Sequence, residues 1–440
     1  MNVQNPATRI TPPVLPATLA DTGLPMTLMR DILLKTMYRM SLNLASDLAK
    51  VVCLPFAQVI ELIDHARGER LLEAMGTMHA GATSSEMGFQ LTEAGRKYAQ
   101  SALALSEYYG AMPVPLDRYA EQVRRQSIRD VKISRDQLLA AMGDLILPEG
   151  LLADLGPAVT SGRSILLYGP PGNGKSSISN GIRDAMGEHI YVPRAVVHSG
   201  QVIAVYDPIV HTLVETPAQT GAMQLRLSSI RHDPRYVLCE RPTVITGGEL
   251  TLDMLELKYN ATARTYQAPL QFKATGGVFI VDDLGRQEEP PQALVNRWIV
   301  PLEMNYDILS LVSGEKFIVP FDTLVIFSTN FHPNEIFDRA ALRRIFFKIK
   351  IDGPDQADFL KIFALVARKK KMPLNEDALI HLLQNKYPTI DNIYANYQPV
   401  FLIDQMIAMC EFEGKPLHMS PDLIDRAWSN MFVRDEHIVK

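Results

Sequence analysis

The sequence predicts an α/β protein: a parallel sheet with ligand loops at its strand ends, β-hairpin inserts, and mainly helical regions before and after it. Three observations carry this. The apolar run Ser164–Tyr168 leads into Gly169-Pro-Pro-Gly-Asn-Gly-Lys175-Ser176, and a helix-compatible stretch, Ser177–Met186, follows. A second apolar run, Gly277–Val281, ends in the adjacent carboxylates Asp282 and Asp283. A third, from Thr323 through Ser328, ends in Thr329 and Asn330.

The glycine stretch fits G-x-x-x-x-G-K-[ST] at every fixed position. Glycines let backbone N–H groups curl around a phosphate chain, and the helix start adds a favourable dipole. Gly169, Pro170, Pro171, Gly172, Asn173, Gly174, Lys175, Ser176 and Ser177 are therefore the candidate nucleotide-binding residues. Lys175 is placed for the β- and γ-phosphates, and the Ser176 hydroxyl for Mg2+. A glycine turn of purely structural use does not account for the full match and its flanks. At the end of the second run, Asp282 is the expected magnesium ligand and Asp283 the group that polarises the attacking water.

Length and composition set the limits. At 440 residues the chain exceeds one ordinary domain, and 47% hydrophobic with 21% charged residues suits a soluble protein with large cores. A net charge of −5 argues against nucleic-acid binding by bulk charge. Cys53, Cys239 and Cys410 stand in no metal spacing and read as reduced thiols. No signal-peptide pattern and no membrane-length apolar run is evident, so a cytoplasmic protein without membrane insertion is expected.

In chain order, residues 1–27 form a proline-containing arm with few large apolar side chains. Residues 28–110 follow with three amphipathic helices, at Asp31–Met40, Leu42–Val52 and Phe56–Ala66. Two short strands around a Gly/Ser/Thr-rich tip and a helix from Thr92 complete the order of a winged helix. Its third helix offers Gln58 and His65 to a nucleic acid but also Glu61 and Asp64. Over 28–100 eight basic side chains meet eight acidic ones, so a protein-binding module is favoured over a DNA-binding one. A connector, 111–145, is expected to be helical over Leu116–Ile133, with Arg118, Arg124, Arg125 and Arg129 on a solvated face. The nucleotide domain spans 146–353, with Ile146-Leu-Pro148 as a surface for the base. A helical lid spans 354–440, with helices at Asp355–Lys369 and Glu376–Asn385 and a solvated basic run, Arg368–Lys371.

The third strand, ending at Asn330, resembles the sensor 1 strand of the AAA+ ATPases, which implies that Asn330 holds the attacking water and γ-phosphate. The segment Asn334–Arg344 is similar to the AAA+ stretch whose arginine reaches a neighbouring subunit's nucleotide, which implies that role for Arg343 or Arg344. Inserts at about 245–273 and 307–319, the second a hairpin about Ser313-Gly314, resemble the MoxR and magnesium-chelatase branch. Arg286 matches an arginine that commonly follows the acids there. Two departures stand out. Asp283 replaces the family's usual glutamate, and Val400 stands where a sensor 2 arginine is sought, with Arg426 and Arg434 as substitutes.

The resemblance implies a homo-oligomeric ring of six that binds ATP and Mg2+, hydrolyses ATP, and remodels a protein client or adaptor docked on 28–110. Two rivals remain: a DNA-acting ATPase that uses the winged helix, and a nucleotide-gated assembly module with weak turnover. The chain contains no G-x-S-x-G, H-E-x-x-H or cysteine–histidine zinc pattern.

Overall fold

The computed structural model describes residues 10–79, 85–148, 150–187, 189–214 and 232–432. They fall into two compact units, one made of 1–132, 186–280 and 287–325, the other of 133–185, 281–286 and 326–440.

In the first unit, helices Met26–Met40, Ala45–Val52 and Phe56–Gly68 precede the antiparallel strands Leu72–His79 and Ser85–Leu91, then helix Glu93–Leu105. Apolar residues at helical spacing, Met29, Ile32 and Leu33 on the first helix and Val59, Leu62 and Ile63 on the third, share one core. Leu44 bridges to Gly88, and the Phe89 N–H donates to the Asn43 carbonyl at 2.8 Å, which adds a short third rung to the hairpin. Thr92 is the cap rather than the first turn of the last helix: its Oγ1 accepts the Gly95 N–H at 2.9 Å. Gly95 is required there, because a Cβ would lie 2.0 Å from the Leu71 carbonyl oxygen. The tip, 80–84, and the start of the arm, 1–9, lie outside the described residues.

Residues 10–19 lack regular structure, as expected, but they are tied down. The Pro13 carbonyl accepts the Asp233 N–H at 3.1 Å, and the Thr11 carbonyl accepts from Gln122 Nε2 at 3.0 Å. Leu19 and Leu24 enter the helical core. The arm thus has no core of its own and completes its neighbour's.

The helix expected over Leu116–Ile133 ends at Arg125, followed by a 3-10 turn at Ile128–Asp130. The Asp322 carboxylate draws the chain away: it accepts from Ser127 Oγ at 2.9 Å and from the Ile128 N–H at 2.8 Å. Both expected inserts contain hairpins, Lys258–Asn260 with Thr265–Gln267 and Tyr306–Ser310 with Lys316–Pro320.

The second unit carries the glycine loop. The strand Ile165–Tyr168 enters it, with Leu324–Thr329 and Phe347–Lys350 parallel on either side. The strand order about the loop is Phe347–Lys350, Ile165–Tyr168, Leu324–Thr329. This is an α/β architecture with a P-loop nucleoside-triphosphatase core. Toward the C-terminus, helices Gln356–Lys369, Glu376–His381, Tyr397–Phe412 and Pro421–Met431 pack about Phe359, Phe363, Tyr387 and Trp428. The expected helix Glu376–Asn385 continues past His381 as a π turn, Leu382–Lys386. The basic run is not merely solvated, since Lys369 pairs with Asp144 at 2.8 Å and Lys370 pairs with Asp404. The three cysteines are free and buried. Among the described residues, no helix is long and apolar enough to cross a membrane.

Candidate nucleotide site

The loop between Tyr168 and Lys175 is shaped by backbone that side chains would obstruct. Gly169, Gly172 and Gly174 have φ of 142°, 77° and 84°. A Cβ on Gly169 would also sit 2.2 Å from the Ile351 carbonyl oxygen. Helix Lys175–Met186 starts directly at the lysine, so its unpaired N–H groups face the loop.

The polar side chains expected from the sequence converge here. Lys175 Nζ donates to the carbonyls of Gly169 at 2.9 Å and Pro170 at 3.0 Å, and to Asn330 Oδ1 at 2.7 Å. Asn330 Nδ2 in turn donates to Asp283 Oδ1 at 2.9 Å. Ser176 Oγ donates to Asp282 Oδ2 at 2.7 Å. One amide therefore links the loop lysine to the second carboxylate, while the loop hydroxyl meets the first. Burial pushes the Lys175 ammonium below the usual lysine range, against the opposing pull of Asp282 and Asp283.

The carboxylates stand on a rigid turn. Asp283 has φ of 50°, a left-handed conformation that aspartate tolerates better than longer or branched side chains. The Leu284 N–H donates to the Ser328 carbonyl at 2.7 Å, and Thr329 Oγ1 donates to the Leu284 carbonyl at 2.7 Å. The acid turn is thus clamped to the strand that delivers Asn330.

A cavity of about 1130 Å³ opens over these groups, lined by Lys175, Ser176, Asp282, Asp283 and Asn330. Its apolar wall comes from Leu145, Ile146, Ile362, Val366, Val400 and Phe401. Such a wall suits a planar base, with the polar floor suited to phosphates. Ile146 lines the cavity, whereas Pro148 does not. Oxygen donors from Ser176 and Asp282, together with phosphate and water, suit the hard Mg2+ ion. Among the described residues no group of three His, Cys, Asp or Glu forms a metal cluster, and such a site needs none.

Other expected residues fall elsewhere. Arg343 and Arg344 end the short helix Arg339–Arg344 and do not line the cavity. Arg343 is exposed; Arg344 is half-buried, with Nη1 donating to the Ala340 carbonyl at 2.8 Å. Arg426 pairs with Glu413 at 2.7 Å outside the cavity, and Arg434 lies outside the described residues. Asn396 and Tyr397 contact the loop without any sign of it in the sequence. Asn396 Nδ2 donates to the Asn173 carbonyl at 3.0 Å, and the Tyr397 N–H to the Gly172 carbonyl at 3.0 Å. An Asn-Tyr pair carries no motif, so only the local fold reveals it.

Fold and loop together define a chain with a P-loop nucleoside-triphosphatase core. The family described as Domain of unknown function (DUF8689) matches residues 355–430, the C-terminal helices. No curated protein matches the sequence. Among solved structures, NtrX from Brucella abortus in complex with ADP is similar at 13% identity and TM-score 0.40, over 79% of this chain and 69% of that one. A second NtrX structure from Brucella abortus gives 13% identity and TM-score 0.39, over 74% of this chain and 66% of that one. The chain thus spans just under two thirds of that NtrX. The Thermotoga maritima RuvB Holliday junction branch migration motor gives 13% identity and TM-score 0.35, over 74% of each chain.

Proposed function

We propose that this chain is a ring-forming AAA+ ATPase of MoxR-like type that couples ATP hydrolysis to remodelling a protein partner. The observation that supports it most is the connected set Ser176–Asp282 and Lys175–Asn330–Asp283 beneath an apolar wall. In this reading the loop amides and Lys175 bind the phosphates, and Ser176 and Asp282 hold Mg2+, which offsets phosphate charge. Asp283 accepts a proton from the attacking water, and Asn330 orients that water against the γ-phosphate. Arg343 is the better candidate to act on a neighbouring subunit, because it is exposed while Arg344 is tied back to Ala340.

Residues 28–110 serve as a winged-helix-like docking module for a protein. Several of their basic side chains pair with acidic neighbours within the module. Arg30 pairs with Glu69 at 2.7 Å, Lys50 with Asp47 at 2.9 Å, and Lys97 with Glu93 at 2.8 Å. Gln58, a residue the third helix could have offered to bases, is buried with Nε2 donating to the Pro16 carbonyl. This disfavours the DNA-acting alternative.

Steady-state phosphate release tests the proposal, run with wild type, Lys175→Ala and Asp283→Asn across protein concentrations. Wild-type turnover that rises with assembly and vanishes in both variants is expected. A wild-type rate equal to the Lys175→Ala background would leave only the nucleotide-gated assembly reading. Sedimentation with ATP that shows monomer at every concentration would remove the ring.

A further inference from the structure

We infer that Arg286 is a γ-phosphate-binding residue, supplying from the same subunit the second positive charge on the phosphate chain. The inference rests on the ATPase reading above. A triphosphate carries more negative charge than one magnesium ion and one lysine offset, so a buried phosphate chain calls for another cation. Among the described residues, the cations lining the cavity are Lys175, Arg286 and Lys369. Lys369 is paired with Asp144 at 2.8 Å. Arg286 is exposed and makes no side-chain hydrogen bond or ion pair among the described residues.

Its backbone, in contrast, is fixed. Asp283 at φ 50° and Gly285 at φ 110° reverse the chain, and the Arg286 N–H donates to the Asp283 carbonyl at 3.1 Å. The same turn is held to the neighbouring strand through Leu284, at Ser328 and Thr329. A guanidinium on a clamped turn, three residues beyond the water-polarising acid, loses little backbone freedom on binding. Among the described residues, the C-terminal helices give the cavity no arginine: Ile362, Leu365, Val366, Val400 and Phe401 form the apolar wall there. Within one subunit, compensation beyond Lys175 therefore falls to the acid turn.

Titration of the full chain with ATPγS and with ADP, both with Mg2+, tests this in wild type, Arg286→Ala and Arg286→Lys. Loss of one charge-assisted contact should weaken ATPγS binding by about tenfold or more in Arg286→Ala. ADP binding should stay within about twofold, and Arg286→Lys should fall between. Equal weakening for both nucleotides, or none for either, overturns the inference. Wild type that binds neither nucleotide would overturn the ATPase reading as well, so the two failures are distinguishable. Unchanged thermal melting of Arg286→Ala separates loss of contact from loss of fold.

Discussion

The Tyr397 N–H donates to the Gly172 carbonyl at 3.0 Å, and the Tyr397 ring occupies the space a side chain on Gly172 would need. A Cβ there would fall 2.3 Å from the ring's Cδ1. Asn396 adds two contacts to Asn173, from its N–H to Oδ1 at 3.3 Å and from Nδ2 to the carbonyl at 3.0 Å. The start of helix Tyr397–Phe412 is thus stitched to the phosphate loop, and a change in one must be felt by the other.

A double-mutant cycle measures that coupling. Gly172→Ala should abolish nucleotide binding, through both the collision with Tyr397 and the φ of 77°. Tyr397→Ala removes the collision but not the backbone strain, which costs roughly 1 kcal/mol for alanine. Gly172→Ala in the Tyr397→Ala background should therefore bind ATP more tightly than Gly172→Ala alone. Strictly additive effects in nucleotide titration would mean that the ring and the loop are uncoupled.

Asp283 gives a second prediction. The sequence alone marks aspartate here as a shortened glutamate, whereas the backbone supplies a reason for it, a φ of 50°. Asp283→Glu should lower turnover rather than raise it. The longer side chain displaces the carboxylate from Asn330 Nδ2, 2.9 Å away, and fits the left-handed backbone less well. Asp283→Asn keeps the local conformation, since asparagine also tolerates it, but could not serve as the proposed acceptor of the water's proton. Turnover should drop by about 10²-fold or more with ATP binding and melting temperature retained. Faster phosphate release by Asp283→Glu would contradict this account.

These cases show where the sequence is readable. Lys175, Ser176, Asp282 and Asn330 converge as their motifs predict, because loop and strand-end chemistry needs fixed residue types at fixed places. The hairpin at 306–320 was legible from β-prone runs about Ser313-Gly314, whereas the one at 258–267 was expected only as part of a longer insert. Three features were not. Gln58 looks like a surface reader on its helix but is covered by the arm at Pro16. Helix Leu116–Arg125 keeps its periodic pattern beyond its end, where a partner nearly two hundred positions away, Asp322, takes over the backbone donor. Asn396 acts through backbone groups of the loop, which no side-chain pattern records. Each depends on contacts distant in sequence that override a local pattern.

The depressed affinity of Lys175 for its proton predicts an alkaline limb in nucleotide binding. In the proposed site ATP would bind the ammonium form, so affinity should fall as pH rises through the folded-state pKa, which lies below the usual lysine value of about 10.4. Bound phosphate favours the charged form, so binding at alkaline pH should take up a proton, seen as a buffer-dependent heat in calorimetry. Lys175→Arg, charged throughout, should lose that limb at whatever affinity it retains. Superimposable pH profiles for wild type and Lys175→Arg would assign the alkaline limb to another group.

The buried pair Asp233–Arg235 is the strongest test of how the proline arm is held. Both side chains are 4% exposed, and Arg235 Nη2 lies 2.7 Å from Asp233 Oδ2. Arg235 Nη1 also donates to the carbonyls of Thr22 at 3.0 Å and Pro113 at 3.2 Å, while the Asp233 N–H holds Pro13 at 3.1 Å. Arg235→Ala leaves the buried carboxylate without its countercharge, with only the residue 235 backbone N–H still donating to Oδ1, and two carbonyls without their donor, a loss of about 3–5 kcal/mol in denaturant unfolding. The arm should then become sensitive to protease near residues 10–19, with the cut mapped by mass spectrometry. Asp233→Leu combined with Arg235→Met removes both charges and should cost less than Arg235→Ala alone, because no uncompensated ion remains. Stability of Arg235→Ala within about 1 kcal/mol of wild type, with the arm still protected, would show that Gln58, Gln122, Leu19 and Leu24 suffice to anchor it.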